Sequence, residues 1–310
     1  MKRPALKSET GEHTHPPGVY YDERMNNKVP EIFRIDIAIR RMDRDFKTKK
    51  ADHCWRLRQW VAVLGSWFLA LVSTTNLWAM HPLITDDTGT QGRGKFQLEV
   101  NGEYGQDKDN GATAKTYLAA ATLSYGLSDP MDLMLTLPYL HQRKETSEAV
   151  VHEGGLSDLS LEMKWRFYKK EGISLALKPG LSLPTGNSDK GRGAGKTTYR
   201  LFFIASREGK PWAFHLNLGY IRNENKNEER ENLWQASVAA TVEVVKDLKI
   251  AGNIGIESPT DRAETTPPVF LLGGVIYSLS DRFDLDLGIK GGMTPTETDF
   301  SILAGLTWRF

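Results

Sequence analysis

The chain has 310 residues, of which 40% are hydrophobic and 25% are charged, and its formal net charge is +1. This composition is too polar for a bundle of transmembrane helices, because each helix needs about 20 consecutive apolar residues. Residues 1–79 contribute +5 of the charge, so residues 80–310 carry about −4 and lack the basic surface of a nucleic-acid-binding protein.

The amino-terminal quarter of the sequence predicts export. Residues 1–55 are polar and aperiodic, and we interpret them as an extension or as the product of a start codon assigned too far upstream, with Met42 as the alternative. The apolar run Trp60–Thr75 follows two arginines and precedes Ala79, a small residue, which is the order of a secretory signal peptide. We therefore predict a signal peptide at residues 56–79. A single transmembrane anchor is the alternative for the same run.

Cysteine chemistry is excluded from the predicted mature chain. The single cysteine, Cys54, precedes the apolar run, so it is not a lipoprotein acceptor. A chain without cysteine forms neither a disulfide nor a thiolate metal site. We expect no cofactor.

Residues 80–93, which we predict to be a periplasmic lead, are followed by alternating apolar and polar residues up to the last residue. A period of two places one set of side chains on each face of a β-strand. Twelve such segments are separated by turn residues, and each is long enough to cross a bilayer at a tilt. The predicted strands are Gly94–Gln106, Ala112–Gly126, Met131–His141, Gly155–Tyr168, Ile173–Leu183, Lys196–Ser206, Trp212–Arg222, Asn232–Val245, Leu248–Glu257, Pro268–Leu279, Arg282–Gly291 and Thr298–Phe310.

The connections between these strands alternate in length. Those after even-numbered strands are short, and those after odd-numbered strands are mostly longer, with Gln142–Gly154 and Pro184–Gly195 as the longest. Bacterial outer-membrane barrels have short periplasmic turns and longer outer loops. A soluble sandwich, the alternative for an exported chain of strands, does not require this alternation.

The last strand ends on an aromatic residue. Leu306, Trp308 and Phe310 share one face of it, and the machinery that assembles outer-membrane barrels reads a terminal strand of this kind. We interpret these three residues as an assembly signal. The last strand must also pair with the first strand to close a barrel, because an unpaired apolar strand edge favours aggregation.

The polar face of the strands lines the lumen if the apolar face meets lipid. A barrel of about twelve strands is narrow. Its charges either stay hydrated and define a channel, or pair into a salt-bridge network that closes the barrel. The candidate lumen-lining residues are Lys95, Glu99, Glu162, Lys164, Arg166, Lys178, Asp284, Asp286, Lys290 and Arg309.

Catalytic and metal-binding patterns are sparse. His141 and His152 flank a predicted outer loop, but no residue pattern fixes a nucleophile against either of them. Gly191–Thr197 lacks the first glycine of a phosphate loop, since position 190 is a lysine. The pair Asp86–Asp87 is more typical of a turn cap than of a calcium site. We therefore expect no enzymatic activity.

The segment HPLITDDTGTQGRGKFQLE at His81–Glu99 resembles the opening of the outer-membrane family labelled the meta-pathway of phenol degradation family. Gly154–Leu159 and Pro179–Gly186 are also similar to that family, and the resemblance spans about residues 81–310. It implies an outer-membrane barrel of a Gram-negative-type bacterium that passes small, often aromatic or hydrophobic, molecules. It transfers no functional residue.

These observations predict an all-β protein, a transmembrane antiparallel up-and-down β-barrel of about 12 strands at residues 94–310. The predicted function is passive passage of small solutes through the outer membrane. The alternative is a closed structural or binding barrel that acts through its outer loops. The expected partners are outer-membrane lipid, the barrel assembly machinery and a small-molecule solute, with no nucleic acid.

Overall fold

The computed structural model describes residues 81–109, 112–146 and 149–310. The predicted extension and signal peptide lie outside the described residues. No helix in the described part of the chain is long and apolar enough to cross a membrane. The described residues form β1 (Phe96–Asp109), β2 (Ala112–Ser128), β3 (Met131–Glu145), β4 (Val150–Leu156), β5 (Leu159–Lys170), β6 (Ile173–Leu183), β7 (Thr198–Gly209), β8 (Trp212–Arg222), β9 (Asn232–Val245), β10 (Leu248–Glu257), β11 (Val269–Ser280), β12 (Phe283–Gly292) and β13 (Phe300–Arg309), with one 3-10 turn at Ser188–Lys190.

The strands form a single sheet that closes on itself. Neighbouring strands pair antiparallel in chain order, and β13 pairs with β1 to complete the ring. At this seam Val100 lies opposite Leu306, and Leu98 lies opposite Trp308. A closed ring leaves no strand edge unpaired, which is the condition for a sheet to cross a membrane.

The strands β4 and β5 together occupy one strand position of the barrel. Both pair with β3: β4 pairs along Tyr139–Glu145 and β5 pairs along Met131–Thr136. The two are separated by Ser157 and Asp158, where the backbone N–H of Ser157 donates to the carbonyl of Pro138 at 2.9 Å. The barrel is therefore twelve-stranded, which confirms the predicted strand count.

The predicted outer loop Gln142–Gly154 is mostly strand, so that prediction is wrong. β3 continues to Glu145 and β4 begins at Val150, and together they extend the hairpin. The carboxylate of Glu145 forms ion pairs with Arg143 (2.7 Å) and Lys115 (3.2 Å). The residues of this hairpin do not alternate, since Gln142–Thr146 are all polar and Val150 and Val151 are adjacent apolar residues, so the sequence carries no period of two here.

One end of the barrel carries five two-residue turns, and we call it the short-turn end. These turns follow β2, β5, β7, β9 and β11. The opposite, long-loop end carries the longer connections after β6, β8, β10 and β12, as predicted. The connections after β1 and β3 at the same end are short, so the predicted alternation is wrong for these two.

The outward face of the strands is apolar. Along β8, Trp212, Phe214, Leu218 and Tyr220 are each about half exposed, with exposed fractions of 47–50%. Between them on the same strand, the inward-facing His215 and Asn217 are buried. An apolar belt that encircles a closed sheet is the surface that faces lipid in a membrane barrel.

The predicted assembly residues lie at the closing seam. The ring of Phe310 stacks on Phe96 at 5.6 Å and contacts Trp308 at 4.6 Å between ring centroids. The backbones of Phe96 and Phe310 exchange two hydrogen bonds, of 2.8 and 3.0 Å. Both Trp308 and Phe310 are exposed on the outer face, and Leu306 is half-buried.

The stretch that precedes β1 differs from its predicted position outside the barrel. Residues 81–86 and 88 are buried, and their partners are inward-facing side chains of the strands. We call His81–Thr90 the lumen segment. Its polar side chains find partners on the wall, which is why it lies inside the barrel rather than extending away as a lead.

Candidate functional site

The lumen segment is anchored by two apolar residues. Leu83 and Ile84 are buried in a cluster with inward-facing side chains of β9, β10, β11 and β13. Three of these partners are large, namely Phe270, Leu272 and Leu303. Because each of the three is at most 3% exposed, this side of the lumen is packed rather than open at the level of the segment.

The backbone of the segment is held by side chains of the wall instead of by strand pairing. The side-chain oxygen of Asn253 accepts hydrogen bonds from the N–H groups of Ile84 (2.7 Å) and Thr85 (3.0 Å). The Asn253 amide nitrogen donates to the Thr85 hydroxyl at 2.7 Å, and that hydroxyl donates to Ser237 at 2.8 Å. The barrel ladder therefore does not depend on the segment for any of these bonds.

Asp86 lies between two lysines of the wall. Its Oδ1 is 2.8 Å from Nζ of Lys164 on β5, and its Oδ2 forms a close ion pair with Lys178 on β6. The three side chains are only 1–2% exposed. A carboxylate between two ammonium groups provides the counter-charge that makes both lysines tolerable in a dry interior. Asp87 adds a longer contact of 3.6 Å to Lys164.

Further polar contacts hold the two ends of the segment. At the start, Nδ1 of His81 forms a close contact with the carboxylate of Asp286 on β12. Near the other end, the Thr88 hydroxyl lies 2.5 Å from that of Ser174, and the Thr88 N–H donates to Ser206 at 3.1 Å. These partners belong to β6 and β7, so the segment crosses the lumen from β12 to the opposite wall.

The segment leaves the lumen over the turn between β2 and β3. The Thr90 hydroxyl donates to the carbonyl of Asp129 at 2.7 Å. Gly92 and Gly94 have φ of +83° and +78°, which non-glycine residues rarely adopt. The Gly92 carbonyl also occupies the position that a Cβ at Gly126 would take. Glycines at these positions therefore let the chain turn sharply into β1.

A second charged cluster lies toward the long-loop end. Nζ of Lys290 is 3.1 Å from Glu103 and 3.3 Å from Glu297, and the buried Glu257 adds a third acid to this wall. Lys290 also lies 5.9 Å from the ring centroid of Phe270. An equivalent contact of 5.7 Å joins Lys178 to Phe202. Two lysine–phenylalanine pairs thus face the lumen, on β6–β7 and on β11–β12.

The outer loops are bonded to one another above this cluster. The N–H groups of Gly186 and Ala194 donate to the carboxylate of Asp158, at 2.9 and 2.8 Å. The side chain of Arg230 donates to the carbonyls of Pro259 (3.1 Å) and Glu264 (3.0 Å). The N–H of Lys226 donates to the carbonyl of Ala194 at 2.8 Å, so the connections after β6, β8 and β10 together form an ordered rim.

A buried acid lies within this rim. Burial raises the pKa of Glu229, and a hydrogen bond of 3.0 Å from the Asn223 amide opposes the shift. The carboxyl of Glu229 is thus easier to protonate than that of an exposed glutamate.

The structure brings most of the candidate lumen-lining residues to the inner face. Two groups differ in depth. The buried residues are Glu99, Glu162, Lys164, Lys178, Asp286 and Lys290. The half-buried or exposed residues at the short-turn end are Lys95, Arg166, Asp284 and Arg309, of which Arg309 pairs with Asp284 at 2.6 Å.

Sequence reasoning missed several residues of this site. The sequence predicts a turn cap at Asp86 and a periplasmic lead at His81, whereas both side chains lie in the lumen. Arg200, which donates to Ser160 (3.3 Å) and lies 3.8 Å from Glu162, is not among the predicted lumen-lining residues. The only available signal was that charged residues stand at inward positions of neighbouring strands, which does not identify their partners.

The other chemical candidates do not form a site. His141 and His152 stack with ring centroids 6.3 Å apart on the projecting hairpin. Gly191–Thr197 lies in the ordered rim, between the 3-10 turn and β7. Among the residues that the structure describes, no group of three His, Cys, Asp or Glu side chains is arranged to hold a metal ion.

A comparison with known protein families identifies the family of this chain. Residues 81–310 match the family model described as "Putative MetA-pathway of phenol degradation". The chain belongs to this family. The match confirms the resemblance found in the sequence, and it begins at His81, the first residue of the lumen segment. The closed ring and its apolar outer belt make this family member an outer-membrane β-barrel.

Three solved structures are similar to part of this chain. The NanC porin is 12% identical, with 68% of this chain and 98% of that chain covered and a TM-score of 0.48. The KdgM porin is 8% identical over 69% and 99% of the two chains, also with a TM-score of 0.48. The translocator domain of the autotransporter NalP from Neisseria meningitidis is 11% identical over 71% and 89%, with a TM-score of 0.44. A search of curated proteins gave no match.

Proposed function

We propose that this protein is an outer-membrane channel for small solutes, closed by its lumen segment in the structure described here. The observation that carries the proposal is the way in which the segment is held. Asn253, Ser237 and Ser206 bind its backbone and hydroxyl groups, so the segment can leave without breaking a strand pair. Leu83 and Ile84 pack on one apolar patch of the wall, whereas the wall around Asp86 and Thr88 is polar and can be hydrated when the segment leaves.

The segment must move before a solute passes. It contacts β12 through His81 and β6 through Asp86, so it spans the lumen. The lumen of a twelve-stranded barrel is narrow even without such a segment. Its bonds are mostly hydrogen bonds and ion pairs, which water can replace when the segment is released. We infer that release of Asp86 from its two lysines is the step that opens the passage.

We further propose that the solutes include small aromatic or hydrophobic compounds. Phe202 and Phe270 are inward-facing rings, each next to a lysine ammonium group. Such a pair offers an apolar face and a hydrogen-bond donor to a ring that carries a hydroxyl or carboxylate group. The family description supports the same class of solute.

Conductance across planar lipid bilayers tests the proposal. We expect the intact protein to conduct weakly, and a variant that lacks Pro82–Gly89 to conduct strongly and to admit sugars and aromatic acids into liposomes. Folding of each variant is checked by its shift in gel mobility between unheated and boiled samples. A folded deletion variant that neither conducts nor admits solutes would contradict the proposal.

The alternative is a closed barrel that binds partners through its outer loops. It is favoured by a second apolar cluster inside the barrel, formed by Ala176, Phe202, Ile204, Ile221 and Leu233, and by the bonds between the loops. The same experiment separates the two functions. A closed barrel stays non-conducting without the lumen segment, because the second cluster does not include it.

A further inference from the structure

The two lysines that hold Asp86 take their ion pairs from the lumen segment and not from the wall. Among the described residues, Lys164 pairs with Asp86 and Asp87, and Lys178 pairs with Asp86. Both lysine side chains are at most 2% exposed while the segment is in place. Departure of the segment therefore uncovers two ammonium groups and removes their direct counter-charge in the same step.

Three acids of the wall lie near these lysines, and none of them takes the place of Asp86. Glu162 lies 3.8 Å from the guanidinium group of Arg200. Asp132 accepts hydrogen bonds from the backbone of the chain that enters β1, at 3.0 and 3.1 Å. Glu99 is within electrostatic reach of both lysines, but it is not one of their ion-pair partners in the described part of the chain.

The charges of this part of the wall leave room for an anion. Release of the segment removes Asp86 and Asp87 together, and the three wall acids then face four cations, namely Lys164, Arg166, Lys178 and Arg200. One positive charge is in excess. A charge in a narrow lumen is stabilised by a partner of opposite sign, so the vacated position favours a small monoanion.

The wall beside Lys178 is apolar. Nζ of Lys178 is 5.7 Å from the ring centroid of Phe202, which lies opposite it on β7. Phe202 belongs to the buried cluster that also contains Ile204, Ile221 and Leu233. A ligand with a carboxylate on one side and an aromatic ring on the other therefore matches both parts of this wall.

The second lysine–phenylalanine pair differs in its counter-charges. Lys290 lies 5.9 Å from the ring centroid of Phe270, but its acids are Glu103 of β1 and Glu297 of the connection after β12. Both acids belong to the barrel and stay in place when the segment leaves. Lys290 therefore keeps its partners, and the position for an anion is specific to Lys164 and Lys178.

Asp86 shows how such an anion is held. One oxygen of its carboxylate is 2.8 Å from Nζ of Lys164, and the other forms a close ion pair with Lys178. The carboxylate of a small solute has the same two oxygens and can accept the same two charge-assisted hydrogen bonds. Because both ligands need the same ammonium groups, the solute and Asp86 exclude each other.

We propose that Lys164, Lys178 and Phe202 form a binding site for small aromatic carboxylates, and that Asp86 fills the anion position of this site in the closed state. A solute carboxylate that takes the two lysines displaces Asp86 and shifts the lumen segment toward release. The channel is then opened by the class of compound that it carries. This inference rests on the proposed function, because it assigns a solute class and an opening step to the same channel.

Binding of benzoate to folded protein in detergent, measured by isothermal titration calorimetry, tests the site. We expect Asp86→Asn to bind benzoate about tenfold more tightly than the wild type, because the competing carboxylate is gone. In the Asp86→Asn background, Lys178→Gln should weaken binding about tenfold, since one charge-assisted hydrogen bond is lost. Lys249→Gln in the same background is the matched control. Lys249 is an inward-facing, half-buried lysine of β10, and its substitution should leave the affinity unchanged.

Acetate and benzamide separate the charge of benzoate from its ring. Benzamide keeps the shape without the charge, and acetate keeps the charge without the ring. We expect acetate to bind about tenfold more weakly than benzoate, because it buries little apolar surface on Phe202. Benzamide should not bind measurably. Equal affinities for benzoate and acetate would overturn the role of Phe202, and equal affinities for benzoate and benzamide would overturn the role of the lysines.

Bilayer conductance tests the opening step. Benzoate should raise the open probability of the wild type, whereas benzamide should not, and Asp86→Asn should not respond because its segment is already released. Folding of each variant is checked by its gel mobility. The Pro82–Gly89 deletion, which also lacks Asp86, takes the place of Asp86→Asn if that variant does not fold. Binding to the released variant without an effect on wild-type conductance would overturn the opening step.

Failure of this inference is distinguishable from failure of the proposed function. A Pro82–Gly89 deletion that conducts, but binds benzoate no more tightly than the wild type, overturns the anion site and leaves the proposed function standing. A deletion variant that binds benzoate as expected, but neither conducts nor admits solutes, overturns the proposed function and with it the opening step.

Discussion

Asp86 and Lys164 are 78 positions apart in the sequence, and their side chains meet at 2.8 Å inside the barrel. The carboxylate belongs to a segment that precedes the first strand, and the ammonium group belongs to the wall. This pair, with Lys178 on the other oxygen, is what joins the lumen segment to the barrel electrostatically. Its removal is therefore the most direct way to separate a mobile segment from a fixed one.

We expect Asp86→Asn to open the channel. The substitution keeps the shape of the side chain but removes the carboxylate that lies between Lys164 and Lys178. A buried ion pair that loses one partner costs about 3–5 kcal/mol. The segment should leave the lumen, and bilayer conductance should rise toward that of the Pro82–Gly89 deletion.

Asp87→Asn is the control for this prediction. Asp87 is 20% exposed, and its contact to Lys164 is longer, at 3.6 Å. Its substitution should change conductance little. Equal conductance of the Asp86→Asn variant and the wild type would show that the ion pair does not hold the passage closed.

A disulfide between positions 85 and 237 should keep the solute passage shut. The hydroxyl oxygens of Thr85 and Ser237 are already within 2.8 Å, so the bond requires little backbone movement. Liposomes that contain the oxidised variant should exclude solutes, and a reducing agent should restore uptake to the wild-type level. Each single-cysteine variant is the control, because it should not respond to the reducing agent. Uptake that is the same before and after reduction would mean that solutes pass without movement of the segment.

Gly126→Ala tests the exit of the segment over the β2–β3 turn. A Cβ at this position would collide with the carbonyl of Gly92, and backbone atoms cannot move aside as a flexible side chain can. Overpacking of this kind costs about 1–3 kcal/mol. We expect a lower unfolding temperature and a looser segment, seen as higher conductance. Gly252→Ala is the matched control, because nothing lies within 4 Å of its added Cβ; an equal loss of stability in both variants would refute the role of this close approach.

The strands could be predicted from the sequence because a lipid-facing sheet imposes a strict period of two. Trp212, Phe214, Leu218 and Tyr220 all face outward for that reason. This alternation is imposed only on the part of each strand that faces lipid. The hairpin beyond His141 is strand, but its polar and apolar residues do not alternate, so the sequence predicts a loop there.

The lumen segment could not be predicted, because its position depends on pairs that are distant in sequence. Alternation predicts Lys164 and Lys178 on the inner face, and the structure places them there. Their partner Asp86 lies in a stretch where polar and apolar residues do not alternate, so the sequence does not indicate which way its side chain points. Alternation thus identifies which residues face the lumen, but it does not show what occupies it.

Loss of Phe310 should impair insertion more than transport. Its ring packs on Phe96 and Trp308 at the closing seam, on the outer face of the barrel. Removal of the residue should lower the amount of folded protein in the outer membrane, whereas the conductance of each folded molecule should stay unchanged. Phe310→Trp keeps an aromatic terminus and should assemble normally. Normal assembly of the deletion variant would contradict the assembly role.

The stability of the ordered rim should depend on pH. Burial raises the pKa of Glu229, so the folded loop binds this proton more tightly than the unfolded chain does. The resulting stabilisation is complete below the ordinary glutamate pKa and is lost as the pH rises through the raised value. Hydrogen exchange of the amides at residues 225–231, corrected for its intrinsic pH dependence, should therefore quicken over that range. Glu229→Gln should remove this dependence, because it cannot ionise, and Glu228→Gln should retain it, since Glu228 is exposed. A loop whose protection does not change with pH in the wild type would show that the carboxyl of Glu229 does not couple to loop order.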